Sequence, residues 1–533
     1  MFSIFRGSAA SVALSGACVL FASTALATPI LDPLTTGPSS SASPYLVPTS
    51  TGYTSSSILS AGDSVPLDGR PAQSSATYRF PGTPDGIGAF DNGNGTVTVL
   101  VNHEFSSTQG GAQRASGGFG STVSQLVINK NTLQVLSGRE LVTTPANLHL
   151  SSGTATLDRL CSADLPATSA FYDAASGRGY NGRIFMNGEE NGSNGRAFGW
   201  VVAEQAAYQL PKIGAFSHEN SVANPNTGAK TVVIGLDDNT AANGGRLYVY
   251  VGDKQSAGNA VEKAGLTNGQ SYSIKVTGVS VESRATNVGI SKSLSGQGAG
   301  QSFTLAAFTD QASKADGTGF LRPEDGSWDT KNPNRFFFVT TDRYDQVKDG
   351  VGSQVGRSRL WELTFADAAN PTAGGTLRLL LDGTEQGNMY DNITVDADGN
   401  IYLQEDVGNQ AHNGKIFVYD RQTGLLTELF EHDPARFGDL NLAATPPFNQ
   451  DEESSGIVDV TGLFTSANWY TGGNVFLSAD QAHYNIADPL IIEGGQLLLL
   501  TSVPEPATLG LLLTALLALK LCRRAAGRPA ADK

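Results

Sequence analysis

Six short segments of this chain each open on a residue able to bind a cation. They are "PDGIGAFDNGNG" with Asp85, "RLCSADL" with Cys161, "SHENSVANPNTG" with Glu219, "RPEDGSWDTKNPN" with Glu324, "YDNITVDADG" with Asp391 and "DEESSGIVDVTG" with Glu453. Each donor stands just ahead of a short strand-like run and an Asp/Asn/Gly-rich turn. Carboxylate oxygens suit Ca2+, and a single thiolate shifts the preference toward a transition metal. Brought to one axis, five carboxylates repel strongly even at an effective dielectric of about 20, so they call for cations.

Plainer explanations exist for the same residues. Acids end strands because turns need polar groups, which accounts for "DADG" and for Asp342, Asp398 and Asp480 taken singly. Glu219, Glu324 and Glu453 fit it less well, since Glu is a poor turn former and each precedes an apolar segment. Cys161 alone reads as a small buried core residue, and its register with the acids puts a ligand role beside that reading. His103 and His218, next to Glu104 and Glu219, are either ligands or hydrogen-bond partners at strand ends. "GEENGSNG" suits Ca2+ in composition but lacks the spacing of an EF-hand.

The elements that would position these residues recur with them. Apolar runs ending in acids, "TVTVLVNHE", "RIFMNGEE", "TVVIGLDD", "FFFVTTD", "NIYLQED" and "NVFLSAD", have the length and β-branched or aromatic content of strands. After each comes a Gly-led strand such as "GRAFGWVV" or "GKIFVYD". With the donor-led segment as the innermost strand, this unit repeated six times predicts an all-β fold, a six-bladed β-propeller with insertions, the donors converging at one end of its channel. The spacing is too irregular for WD40 or kelch repeats. The run "SYSIKVTGVSVES" adds outer strands and an insertion between Lys254 and Gly319.

The chain has 533 residues, 62 of them glycine and 23 proline, which suits a turn-dense β protein. The net charge of −15 leaves no basic face for a phosphate backbone, so nucleic acid is not expected as a partner. Residues 1–27 have the basic start, apolar core and Ala25-Leu26-Ala27 site of a signal peptide, and 28–65 are a Ser/Thr/Pro-rich lead-in. The propeller is assigned to 66–502. With Cys18 in the leader and Cys522 in the tail, Cys161 is left without an intramolecular disulfide partner. No G-x-S-x-G elbow, Walker loop or H-E-x-x-H motif is present, which removes support for the common serine-hydrolase, nucleotide and zincin classes.

Two resemblances carry further expectations. The segments "RLCSADL", "GEENG", "GAFSHENSVANPNTG", "FLRPEDGSWD", "DNITVDADGNIYLQED" and "DEESSGIVDV" resemble, in order, motifs of the PhoX-type alkaline phosphatases, between about residues 75 and 500. The resemblance implies an exported metal-dependent phosphomonoesterase with iron and calcium, in which Cys161, Glu219 and Glu324 hold Fe3+ and Arg322 grips phosphate. It implies calcium or supporting roles for Glu189, Glu190, Asp391, Glu405, Glu452 and Glu453. The chain departs from the family in lacking a twin-arginine leader, so metal loading would follow export, and in its motifs around "YLQED" and "DEESSGIVDV". Residues 503–533, with "VPEPATLGLLLTALLALKLCRRAAGR", resemble the PEP-CTERM sorting signal of Gram-negative bacteria. That implies a sorting helix, transient membrane anchoring, exosortase processing and release to the cell surface or an exopolysaccharide matrix, an ordinary C-terminal anchor being the alternative reading; the protein is expected to be a monomer. The competing readings are a non-catalytic surface protein stiffened by calcium and a calcium-dependent propeller esterase or lactonase.

Overall fold

The computed structural model describes residues 32–71, 73–109, 111–240, 243–282, 300–308, 316–342, 358–408 and 411–503. The expected signal peptide, and all of the expected sorting segment but Val503, lie outside these residues. The described chain is all-β. Its α-helices are the single turns Ala260–Lys263, Pro434–Phe437 and Thr461–Phe464. No helix among the described residues is long and apolar enough to cross a membrane.

The strands form up-and-down meanders arranged as in a propeller. The first runs Pro84–Asp91, Thr96–His103, Thr122–Asn129, Val135–Glu140. The second runs Ile184–Gly188, Ala197–Val201, Ala206–Gln209, with Leu148–His149 outermost and residues 160–164 bridged to its inner edge. A nine-stranded sheet holds two more meanders, one starting at His218–Ala223 and one at Pro323–Trp328, joined by Gln301–Phe308. The last two sheets start at Tyr390–Val395 and Glu452–Asp459.

The starting strands pack on one another around a common axis. His218–Ala223 lies against Ile184–Gly188 and Pro323–Trp328, Tyr390–Val395 against Pro323–Trp328 and Glu452–Asp459, and the latter against Pro84–Asp91. An axial cavity of about 220 Å3 is lined by residues from these strands and from the bridged segment, including Ile87, Ala163, Asn220, Asp325, Ile393 and Ile457. Sheets stacked face to face bury both faces of their middle strands, which is why "RFFFVT" and "TVTVLVNH" are nearly continuous apolar runs rather than alternating ones. One core joins Val97, Val99 and Val101 to Leu477, Leu497 and Leu499 across neighbouring sheets, and another joins Phe337 and Val339 to Ile393 and Leu403. Each such side chain contributes about 1.5–3 kcal/mol.

The segment expected as a Ser/Thr/Pro-rich lead-in, 28–65, differs from that expectation. Tyr53–Ser60 pairs antiparallel with Glu493–Ser502, so the two ends of the described chain share one sheet, and Leu46–Pro48 pairs with Leu425–His432. Composition misleads here because Ser and Thr fill most of "YTSSSILS", while Ile58 and Leu59 enter the core and the edge of Glu493–Ser502 supplies the ladder.

Candidate metal centre

Antiparallel pairing explains why the donors gather at one end. The start of each innermost strand lies opposite the end of its neighbour, as in Pro84↔His103, His218↔Asp237, Pro323↔Thr340 and Tyr390↔Glu405. The acids that begin one strand therefore meet the acids that follow the other. Asp85, Glu219, Glu324, Asp391 and Glu453 are each second in their strand. Cys161 holds the matching place beside the Leu160↔Glu189 bridge. In four of the five strands the acid sits in a register irregularity, which re-aims a side chain out of the regular pleat. In the fifth the irregularity falls just after Ser454.

Three groups of donors result among the described residues, each with its ligand atoms within 4.8 Å of one another: Asp85, Glu104 and Cys161; Cys161, Glu190 and Glu219; and Glu219, Glu324 and Asp391. Cys161 and Glu219 each belong to two, so the groups form a chain. All of these donors are buried except Glu104 and Glu190, which are partly exposed. Cys161 Sγ lies 3.3 Å from Glu190 Oε2, and Asp85 Oδ1 is buried without a hydrogen-bond partner. Burial first, then the neighbouring carboxylates, push Asp85, Glu219 and Asp391 well above the usual carboxylate range. Burial and the same acids push the Cys161 thiol up. Glu190 is raised to about 8, burial outweighing Arg159. Glu104 is the exception: burial raises it, but Arg159 and Gln481 hold it below its ordinary value. Buried acids in such excess, one with an orphaned oxygen, fit bound cations.

A polar scaffold holds these groups. Ser162 Oγ donates to Glu219 Oε1 at 2.6 Å and accepts from Asn392. Asn102 donates to the Cys161 carbonyl at 2.6 Å, Asn187 to Asn102 and Trp200 to Asn187, a buried relay that fixes the backbone carrying the sulfur. Gly86 lets that backbone approach, since a Cβ there would stand 2.3 Å from Ala163 N. Arg322 grips Asp238 with two bonds of 2.7 Å and reaches Glu324 at 3.0 Å. His483 bridges Glu453 at 3.3 Å and Glu493 at 2.7 Å; burial opposes its charge, but both acids raise it well above an ordinary imidazole.

The remaining candidates are not members of the three groups, although Glu453 shares the Gln481 amide with Asp85 and Glu104. Glu189, just past the strand Ile184–Gly188, is paired with Arg196 (Nε to Oε2, 2.6 Å). Glu405 accepts from Asn388 N at 2.6 Å, and Glu452 from Gly414 N at 3.1 Å. Glu453 is tied to Ser455 and His483. His103 is buried, its Nδ1 donating to the Gly82 carbonyl and its Nε2 accepting from Ser124; burial lowers it to about 3. The His218 ring lies against Phe216, centroids 3.6 Å apart and planes tilted by 32°, and its Nε2 is 3.2 Å from the Gly214 carbonyl. Asp480 stands inside the strand Val475–Asn485, not in a turn. Arg159 and Asp238 stand inside the segments "RLCSADL" and "TVVIGLDD" without a role being assigned to them there, and Gln481 and His483 lie in no such segment.

The protonation of these buried acids has a measurable consequence. Burial raises Asp164 and Glu282 to about 7, in the same direction as the cluster acids. A group raised above its unfolded value stabilises the fold fully at pH below about 4, and this contribution is lost as pH rises through the folded value. The melting temperature of chelator-treated protein is therefore expected to fall between about pH 5 and about pH 9, with a shallower slope when metal is bound. A rise over that interval in the chelated sample would contradict the assignment.

Comparisons with known proteins bear on the centre. The family model described as alkaline phosphatase PhoX matches residues 172–438. That span includes Glu190, Glu219, Arg322, Glu324 and Asp391 but stops short of Cys161, Glu104 and Glu453. Solved structures similar to the chain include PhoX of Pseudomonas fluorescens in complex with vanadate, a transition state analogue (14% identity, TM-score 0.49, covering 85% of this chain and 95% of that one). TolB of Acinetobacter baumannii (10%, 0.29, 76% and 63%) and the hydrazine synthase of Kuenenia stuttgartiensis (11%, 0.31, 78% and 96%) are also similar. No curated protein matches the sequence.

Proposed function

The chain belongs to the alkaline phosphatase PhoX family, and from that premise we propose that its phosphomonoesterase reaction runs at the linked donor groups on the propeller axis. The observation that carries this is the sharing of Cys161 and Glu219 between neighbouring groups, which ties a thiol and six carboxylates into one centre. Bound cations supply charge neutralisation of the phosphoryl oxygens and of the leaving oxygen. Asp85, Glu104, Cys161, Glu190, Glu219, Glu324 and Asp391 are the residues that would hold them. The two groups containing sulfur suit Fe3+, and the all-carboxylate group of Glu219, Glu324 and Asp391 suits Ca2+. Glu405, Glu452 and Glu453 flank the centre and are assigned supporting roles.

The chain's own groups do the rest. Ser162 keeps Glu219 turned toward the axis, and the Asn102 relay fixes the Cys161 backbone. Arg322, fixed by Asp238 beside Glu324, orients the phosphoryl group by its guanidinium. The scaffold is read as six blades, counting the nine-stranded sheet as two. Export through the leader, and exosortase processing with release to the surface or matrix, belong to the same proposal and rest on the two chain ends.

Elemental analysis of purified mature protein, with phosphate release from an aryl phosphate and acetate release from an aryl acetate, tests the reading. Bound iron and calcium with phosphate release are expected. Calcium alone without turnover would favour the stiffened surface protein, and aryl acetate as the better substrate would favour the esterase.

A further inference from the structure

The centre has a second arginine, placed differently from Arg322. Arg159 Nε and Nη2 lie 2.8 and 2.7 Å from Glu104 Oε1, and Nη2 also touches Glu190. Its side chain is 44% exposed while those of Glu104 and Glu190 are 9% and 12%, so the guanidinium covers the solvent side of the cluster. Arg322, at 8%, is enclosed. Among the described residues Arg159 Nη1 has no hydrogen-bond acceptor, so two N–H groups remain at the rim.

The backbone is specialised for this placement. Arg159 has φ +38°, a region costly for a residue with a β-carbon and retained only where the surroundings enforce it. Here Arg159 N–H donates to the Phe105 carbonyl and Glu190 N–H donates to the Arg159 carbonyl, both at 2.9 Å. These bonds clamp the residue between the two segments that supply Glu104 and Glu190. A phosphate dianion approaching a chain of net charge −15 meets repulsion, and a cation at the rim offsets it where it matters.

We propose that Arg159 is a phosphate-contacting residue: its two acids anchor Nε and Nη2, and Nη1 donates to a non-bridging oxygen of the bound monoester. The proposal rests on the phosphatase reading. If Arg159 merely neutralised Glu104 and Glu190, its loss would disturb metal binding rather than phosphate affinity.

Arg159→Gln and Arg159→Lys in the metal-loaded full-length mature protein separate these roles. Arg159→Gln is expected to weaken inorganic phosphate binding, measured by calorimetry, and to raise KM for an aryl phosphate, both by about tenfold. Its metal content should match wild type, with kcat within about threefold. Arg159→Lys, keeping the charge without the fork, should recover part of the affinity. Unchanged phosphate affinity at full metal load, or lost metal in both variants, would overturn the proposal. Wild type that neither binds nor hydrolyses phosphate would overturn the phosphatase reading itself, and this inference with it.

Discussion

Cys161→Ser is expected to lower kcat/KM for an aryl phosphate by about a hundredfold or more, with loss of iron but retention of calcium. The sulfur is one of two ligands shared between donor groups, so its removal affects both Asp85–Glu104 and Glu190–Glu219 at once. A serine hydroxyl in the same place is harder and does not ionise near neutral pH. In the metal-free protein burial and three neighbouring acids keep the thiol protonated, so the thiolate forms as the cation arrives and a proton is released. Proton release on loading should therefore be smaller in the variant. The fold should survive, because Asn102 and Gly86 bond the backbone carbonyl of residue 161, which the substitution leaves in place. Equal activity and equal iron in the variant would reduce Cys161 to a core residue.

The sequence made the recurring strands legible because length, β-branching and turn chemistry are local properties. "NIYLQED" and "GKIFVYD" appear as Ile401–Glu405 and Lys415–Asp420, paired as adjacent strands. The leading donors were legible for the same reason, each standing at the head of its strand. What the sequence could not convey was which face each acid takes. Glu189 and Glu190 are adjacent and chemically alike, and Arg196 holds one in a buried ion pair while the other meets Cys161. Glu452 and Glu453 are likewise adjacent but take different partners, Gly414 N–H for one and Ser455 for the other. Arg159 was hidden because its role comes from a left-handed backbone turn and from acids 55 and 31 positions away in the chain. The linker-like segment near residue 53 was hidden because only Ile58 and Leu59 mark it as core while pairing with Glu493–Ser502, far along the chain, makes it a strand.

Arg322→Met should cost about 3–5 kcal/mol of stability in the chelated protein and lower kcat/KM by about a hundredfold or more in the loaded protein. The stability loss follows from burial: without the guanidinium, Asp238 loses both of its bonds to Arg322, and Glu324, which burial already pushes well above the usual carboxylate range, loses the cation that holds it down. The activity loss follows from the proposed grip on phosphate, and the two must be told apart because an unfolded enzyme is also inactive. Adding Asp238→Asn does this. The double variant removes one stranded charge, so its melting temperature should recover most of the deficit while its kcat/KM stays low. Calcium should also restore stability to the single variant, since Glu324 would then face a cation on the axis, without restoring turnover. Were turnover to return with stability in either case, Arg322 would be only the counter-ion of Asp238, and Arg159 would be left as the guanidinium that meets the substrate.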